Sequence, residues 1–179
     1  NQVNFNGHLN DTGPEILSDL KNEVDAFICS VGTGGTLTGV SLALRKSNPD
    51  VKIGIADPMG AALYNFFAKG ELSSEGSSVT EGIGQGRITK NLEDLNVDYP
   101  FQIDDSYALD VMFKLVEKEG LFLGGSSGIN VAGALEMAKK IGPNKNIVTI
   151  LCDSGARYQT KLYNRNFLLN NNLPCPDWI

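Results

Sequence analysis

The sequence predicts an α/β domain: an open, mainly parallel twisted sheet flanked by helices. Three observations carry this. Apolar runs of strand length alternate with longer segments of helical period, the pattern of strand–helix–strand units. Most of the runs are continuously apolar, as strands covered on both faces are, rather than alternating toward a wet face. Two glycine-rich turns each lead from a strand into a helix.

Taken in order, Asp25-Ala26-Phe27-Ile28-Cys29-Ser30 reads as a buried strand. After a glycine turn, a helix is expected from about Thr36 to Lys46, with Leu37, Val40 and Leu44 on one face. Val51 to Ala56 is a second strand, ended by Asp57-Pro58, and Gly60 to Lys69 a second helix. Gly70 to Asn91, rich in Ser, Gly and Thr, reads as a long loop of the kind that is usually functional or disordered. Phe101-Gln102-Ile103 is a short strand. Asp104 and Asp105 offer N-caps for a helix through Glu119, whose Leu109, Met112, Phe113 and Val116 form a stripe. Leu121-Phe122-Leu123 is read as a strand, Ile129 to Lys140 as a helix, and Asn146 to Cys152 as the most strand-like run. The chain thus divides into a lead-in segment (residues 1–24), the α/β domain (25–158) and a polar, mixed tail (159–179).

Composition narrows the function. Hydrophobic residues are 41% of the 179, charged residues 20%, and Gly (20) far exceeds Pro (7), an ordinary globular mixture. A net charge of −6 argues against a nucleic-acid surface, which concentrates Lys and Arg. No apolar run reaches the roughly 20 residues of a membrane span. One histidine leaves little room for zinc-hydrolase chemistry. Cys29, Cys152 and Cys175 form no CxxC pair. The first two end apolar runs and are expected to be buried thiols of a cytoplasmic protein.

The two turns carry the chemistry. Val31-Gly32-Thr33-Gly34-Gly35-Thr36 combines backbone freedom, successive N–H groups, a helix N-terminus and two hydroxyls. Such a turn cradles a phosphate or a carboxylate. No Lys follows the glycines, so it is not a nucleotide P-loop. Gly32-Thr33-Gly34 also begins like a dinucleotide fingerprint, with Asp57 at the end of the next strand, but Leu37 stands where the third glycine belongs. In Gly124-Gly125-Ser126-Ser127-Gly128, Ser127 reads as an N-cap, and Ser126 either shares a local role or points its hydroxyl at a ligand. Ligands of parallel sheets lie beyond the carboxyl ends of the strands, so both turns are expected to face one crevice.

Val31-Gly32-Thr33-Gly34-Gly35-Thr36-Leu37-Thr38-Gly39-Val40 resembles the phosphate loop of the cysteine synthase (O-acetylserine sulfhydrylase) family. These are fold-type II enzymes dependent on pyridoxal 5'-phosphate and related to cystathionine β-synthase. Four further segments are similar to family motifs, in the same order. They are His8-Leu9-Asn10-Asp11-Thr12-Gly13-Pro14-Glu15-Ile16, Glu81-Gly82-Ile83-Gly84, the Ser126 turn, and Asp153-Ser154-Gly155-Ala156-Arg157-Tyr158. The resemblance implies that Gly32, Thr33, Gly34, Gly35 and Thr36 hold the cofactor phosphate, that Ser126 meets the pyridine nitrogen, and that Gly82 lines the substrate side. A neutral hydroxyl at the pyridine does not favour a protonated ring, which steers the chemistry to β-replacement: O-acetylserine and sulfide give cysteine and acetate. A small amino-acid substrate, a homodimer and a cytoplasmic enzyme follow from the same resemblance.

The sequence departs from the family in three places. No lysine stands in a Ser-x-Lys-Asp-Arg-like segment, and the Thr/Ser/Asn loop for the substrate carboxylate is missing. So is the Gln that precedes the family's asparagines, which match Asn1 and Asn4. Together with a first residue that is not Met, this leads to the expectation of a truncated chain. It would be the C-terminal half of such an enzyme, with no catalytic Schiff-base lysine and no turnover alone. His8 is expected to hydrogen-bond structurally rather than act as a base, and Asp153 to cap or turn rather than bind cofactor. Trp178 is expected to pack on the surface or on a partner subunit. The alternatives are a non-enzymatic phosphate- or nucleotide-binding α/β module and an interaction domain.

Overall fold

The computed structural model describes residues 2–179, so the match at Asn1 lies outside the described residues. Strands β1 (Ala26–Cys29), β2 (Lys52–Pro58), β3 (Tyr99–Ile103) and β4 (Ile147–Val148) form one sheet in the order β3-β2-β1-β4. Every pairing between them is parallel. Period-two alternation sorts β1 into two cores. Phe27 and Cys29 pack with Leu37, Val40 and Leu44 of helix α3 (Gly35–Ser47) and with Ile53 and Ile55 of β2. Ala26 and Ile28 face the other way, toward Ala108 and Val111 of α5 (Asp105–Glu119) and Ile129 and Ala132 of α6 (Gly125–Ile141). Each large aliphatic side chain buried this way contributes about 1.5–3 kcal/mol.

Helix ends follow local chemistry. The Asp104 carboxylate accepts the Tyr107 N–H at 2.9 Å and starts α5, and Gly120, at φ +70°, stops it. The short helix α4 (Leu63–Lys69) starts later than Gly60, because Asp57 at the end of β2 caps it through the Tyr64 N–H at 2.8 Å.

Residues 2–19 form a helical stretch on the outside of α3: α1 (Gln2–Gly7), a π-helical turn His8–Thr12, and α2 (Gly13–Asp19). Gly35, Gly39 and Ala43, four residues apart, line one face of α3, and the stretch lies hard against it. A Cβ on Gly39 would stand 2.7 Å from the Phe5 carbonyl oxygen and 3.0 Å from the Leu9 nitrogen. The Cβ of Ala43 would be 2.3 Å from one on Gly13.

Several expectations need correction. Leu121-Phe122-Leu123 is not a strand of the sheet: only Leu123 pairs, as an isolated antiparallel bridge to Ser154. β4 is two residues long rather than seven, since pairing with β1 reaches only Ala26 and Phe27. Beyond it Thr149 turns its hydroxyl onto the Ile28 carbonyl at 2.7 Å. Cys152 is exposed, unlike buried Cys29. The tail is not merely polar: α7 (Arg165–Asn170) buries Leu168, and with Leu162 and Tyr158 it packs on Leu109, Met112 and Phe113 of α5. Trp178 packs on the surface of its own chain, one of the two places expected for it: it meets Phe113 edge-on at 5.8 Å and donates to Glu117 at 2.6 Å.

From β1 the chain moves outward through β2 to β3, then returns to β4 on the other side of β1. That reversal makes the carboxyl end of β1 a switch point, where open α/β sheets form their ligand crevice.

Candidate active site

At the switch point β1 runs into Gly32-Thr33-Gly34 and then α3. Gly34 sits at φ +83°, where a side chain would be strained, and a Cβ there would also press on Leu92 at 2.9 Å. The Thr33 carbonyl accepts the Thr89 hydroxyl at 2.8 Å and the Asn91 amide at 3.0 Å. With that carbonyl tied back, the loop's remaining peptide groups are held in place. The first turn of a 13-residue helix has no intrahelical acceptors for its N–H groups, and the helix dipole adds roughly half a positive charge there. Buried Gly34 and Gly35, half-buried Gly32 and Thr36, and exposed Thr33 therefore form one donor-rich cradle.

The Glu81–Gly84 loop crosses this cradle. The Gly84 N–H donates to the Val31 carbonyl at 3.0 Å, and a Cβ on Gly32 would stand 3.0 Å from the Gly82 carbonyl oxygen. Gly82 also rims a cleft of about 330 Å³ that Ser126, Cys152, Asp153, Arg157 and Tyr158 line. The second turn therefore reaches the first through the Gly82 loop.

Ser126 lies at the N-terminus of α6, only 4% exposed, with its hydroxyl 3.5 Å from Asp153 Oδ1. The N-cap of α6 is Gly124, not Ser127. Ser127 instead accepts the Cys152 N–H at 2.9 Å, tying the helix to the chain beyond β4. Asp153 accepts the Tyr158 hydroxyl at 2.8 Å and pairs with Arg157 at 3.3 Å. Burial, with the Asp153 carboxylate beside it, pushes the Tyr158 phenol up to about 12, so it remains a donor.

One residue at the site carried no sequence signal. Asn130, four positions after Ser126 on α6, accepts the Ser30 N–H and donates to the Ile150 carbonyl, both at 2.7 Å. It braces the entry to the glycine loop against the chain beyond β4. His8, which the sequence marks through its motif, reaches the loop itself: its Nε2 lies 2.9 Å from the Thr36 hydroxyl. Asp57 stands where a dinucleotide fold would place its ribose ligand, but it is fully buried and its carboxylate caps α4.

The pyridoxal-phosphate dependent enzyme family matches residues 1–153. The chain belongs to this family. Among curated pyridoxal-phosphate enzyme relatives, cysteine synthase 1 of Neurospora crassa is 43% identical over 97% of this chain and 47% of its own length. The cysteine synthase of Dictyostelium discoideum is 38% identical over 99% and 50%. Among solved structures, an O-acetylserine dependent cystathionine beta-synthase from Helicobacter pylori superposes with a TM-score of 0.81 at 28% identity, over 88% of this chain and 49% of that one. The chain thus spans about half the length of the relatives it matches. Over that half it is similar to cysteine synthases and shares the fold of pyridoxal-phosphate enzymes. Among the described residues no helix is long and apolar enough to cross a membrane.

Proposed function

We propose that this chain supplies the cofactor-phosphate part of a cysteine synthase-like enzyme that converts O-acetylserine and sulfide to cysteine and acetate. The observation that carries the proposal is the cradle at the switch point, with the Gly82 loop hydrogen-bonded across it. Its donor set fits a phosphate: backbone N–H groups at the start of α3 and two threonine hydroxyls, on a turn whose glycines let Leu92, Asn4 and the Gly82 carbonyl pack close behind it. Gly32, Thr33, Gly34, Gly35 and Thr36 hold the cofactor phosphate in this reading. Ser126 meets the pyridine nitrogen, and Gly82 lies on the substrate side. When bound, pyridoxal phosphate supplies an electron-withdrawing ring that weakens bonds at the carbons next to the substrate amine. Ser126 presents a neutral hydroxyl to that ring, which limits its electron demand and favours β-replacement over transamination. In the structure the Ser126 hydroxyl donates to Asp153, itself held by Tyr158 and Arg157, so meeting the ring nitrogen as a donor requires it to rotate away from that carboxylate.

Residues 25–158 are the cofactor-phosphate domain in this account, with 1–24 as lead-in and 159–179 as tail. A small amino-acid substrate, a homodimer and a cytoplasmic location complete the reading. The acidic balance fits a protein without nucleic-acid or membrane partners. None of the eleven lysines stands in the family's Schiff-base context. Lys161, beside the cleft, is paired with Glu81. The chain alone is therefore proposed to have no turnover.

Thermal unfolding with pyridoxal phosphate or NAD, followed by borohydride reduction and a cysteine assay with O-acetylserine and sulfide, tests this. The expected result is stabilisation by pyridoxal phosphate and not by NAD, no single lysine reduced, and no cysteine formed. Stabilisation by NAD alone would make the chain a nucleotide-binding module. A single reduced lysine together with cysteine formation would overturn the inactivity.

A further inference from the structure

The one histidine of the sequence lies half-buried in the π-helical turn of the lead-in, between that segment and the glycine loop. Three side chains surround its ring. The Thr36 hydroxyl is 2.9 Å from Nε2, the Asn4 amide nitrogen 3.4 Å from Nε2, and the Thr12 hydroxyl 3.1 Å from Nδ1. A neutral imidazole has one N–H and one lone pair, so its neighbours decide the tautomer. The Asn4 nitrogen can only donate. Nε2 is therefore the acceptor, and Nδ1–H donates to Thr12. The strong partner of Nε2 is then the Thr36 hydroxyl, which gives His8 its only proton.

That proton belongs to a residue of the phosphate cradle. A phosphate dianion draws a hydroxyl proton about twice as strongly as a neutral acceptor does. Once Thr36 turns its proton toward the phosphate, its oxygen offers Nε2 a lone pair, and the ring answers by carrying its proton on Nε2. Nδ1 in turn accepts the Thr12 hydroxyl. The proton balance closes: Nδ1 gives one proton to water, Nε2 takes one from water, both hydroxyls rotate, and no net charge changes. Asn4, whose carboxamide packs against Gly35, then loses Nε2 as an acceptor.

We propose that His8 is a positioning residue of the phosphate cradle, holding the Thr36 hydroxyl in place and exchanging its own tautomer from Nδ1–H to Nε2–H when the cradle takes a phosphate. The inference rests on the reading of Gly32–Thr36 as that cradle. It reaches from the phosphate to the lead-in helix without any change in charge.

Because the sequence holds one histidine, nitrogen-15 NMR of the imidazole in the full 179-residue chain reads this residue alone. Spectra are recorded before and after saturation with pyridoxal 5'-phosphate or inorganic phosphate. The expected result is Nδ1–H before and Nε2–H after. In Thr36→Val the ring stays Nδ1–H although pyridoxal phosphate is added. His8→Ala weakens pyridoxal phosphate binding about tenfold, while His8→Gln, whose amide can present either oxygen or nitrogen, stays within about threefold of the original. A tautomer that does not change on saturation, or a His8→Ala variant that binds as well as the original, would overturn the proposal while leaving the cofactor reading intact. Failure of the unaltered chain to bind either probe would overturn the cofactor reading and this inference with it.

Discussion

Gly39→Val is expected to lift residues 2–19 off helix α3 and to lower the stability of the chain by roughly 1–3 kcal/mol, the usual cost of overpacking a tight interface. The first added carbon would stand 2.7 Å from the Phe5 carbonyl oxygen, 2.8 Å from the His8 Cβ and 3.0 Å from the Leu9 nitrogen. Two of those atoms are backbone inside a helical segment and cannot swing aside as a side-chain end does. Relief therefore requires the segment to move as a body. The lead-in carries His8, so the same change takes the imidazole away from Thr36 and loosens the loop at the start of α3. Urea unfolding combined with trypsin digestion under native conditions checks this. The variant should show a lower midpoint and early cleavage at Lys21. Unchanged midpoint and protection would show that the interface is not tight.

The second large effect is on pH dependence. Asp57 is fully buried, one carboxylate oxygen accepts the Tyr64 N–H at 2.8 Å, and the other has no hydrogen-bond partner among the described residues. Burial pushes its pKa up to about 6, against the lowering effect of the Tyr64 and Leu63 N–H groups. A carboxyl whose pKa is raised by folding favours the folded state most when protonated. Its contribution is therefore complete below about pH 4, falls as pH rises, and is lost above about pH 6. A shift of about two pKa units amounts to about 3 kcal/mol. Asp57→Asn keeps an acceptor for α4 and removes the charge. The variant should gain about 3 kcal/mol relative to the original between pH 4 and pH 7, most of it by pH 6. Urea unfolding of both proteins across that range measures the difference, which cancels the other carboxylates. Parallel curves would place Asp57 in a wetter environment than the structure gives it.

The parts of this molecule that repeat a local rule are readable in its sequence. β1, β2, α3 and α5 fall where the apolar runs and the Asp104 cap place them, because each is set by neighbouring residues. The glycine loop is legible for the same reason: a strand, three glycines and two threonines are contiguous. What is not legible depends on partners far along the chain. Leu121-Phe122-Leu123 has the composition of a strand but meets only Ser154, so it gains one bridge instead of a ladder. Ser127 looks like a cap until the chain beyond β4 brings the Cys152 N–H to it. Asn130 gives no sign at all, since a polar residue in a helix becomes a brace only when Ser30 and Ile150 arrive on either side. His8 is of the same kind. Its motif marks the position, but its contact with Thr36 spans 28 residues and exists only because Gly39 lets the helices close.

In the proposed function the peptide groups of Gly32–Thr36 hold the phosphate of the cofactor. Backbone amide NMR during titration with pyridoxine 5'-phosphate, against pyridoxine without the phosphate, tests it most directly, because neither probe carries an aldehyde that reacts with surface lysines. The phosphorylated probe is expected to shift the amides of Gly32, Thr33, Gly34, Gly35 and Thr36, and pyridoxine to leave them unmoved. Equal shifts with both probes, or shifts that cluster away from the start of α3, would contradict it.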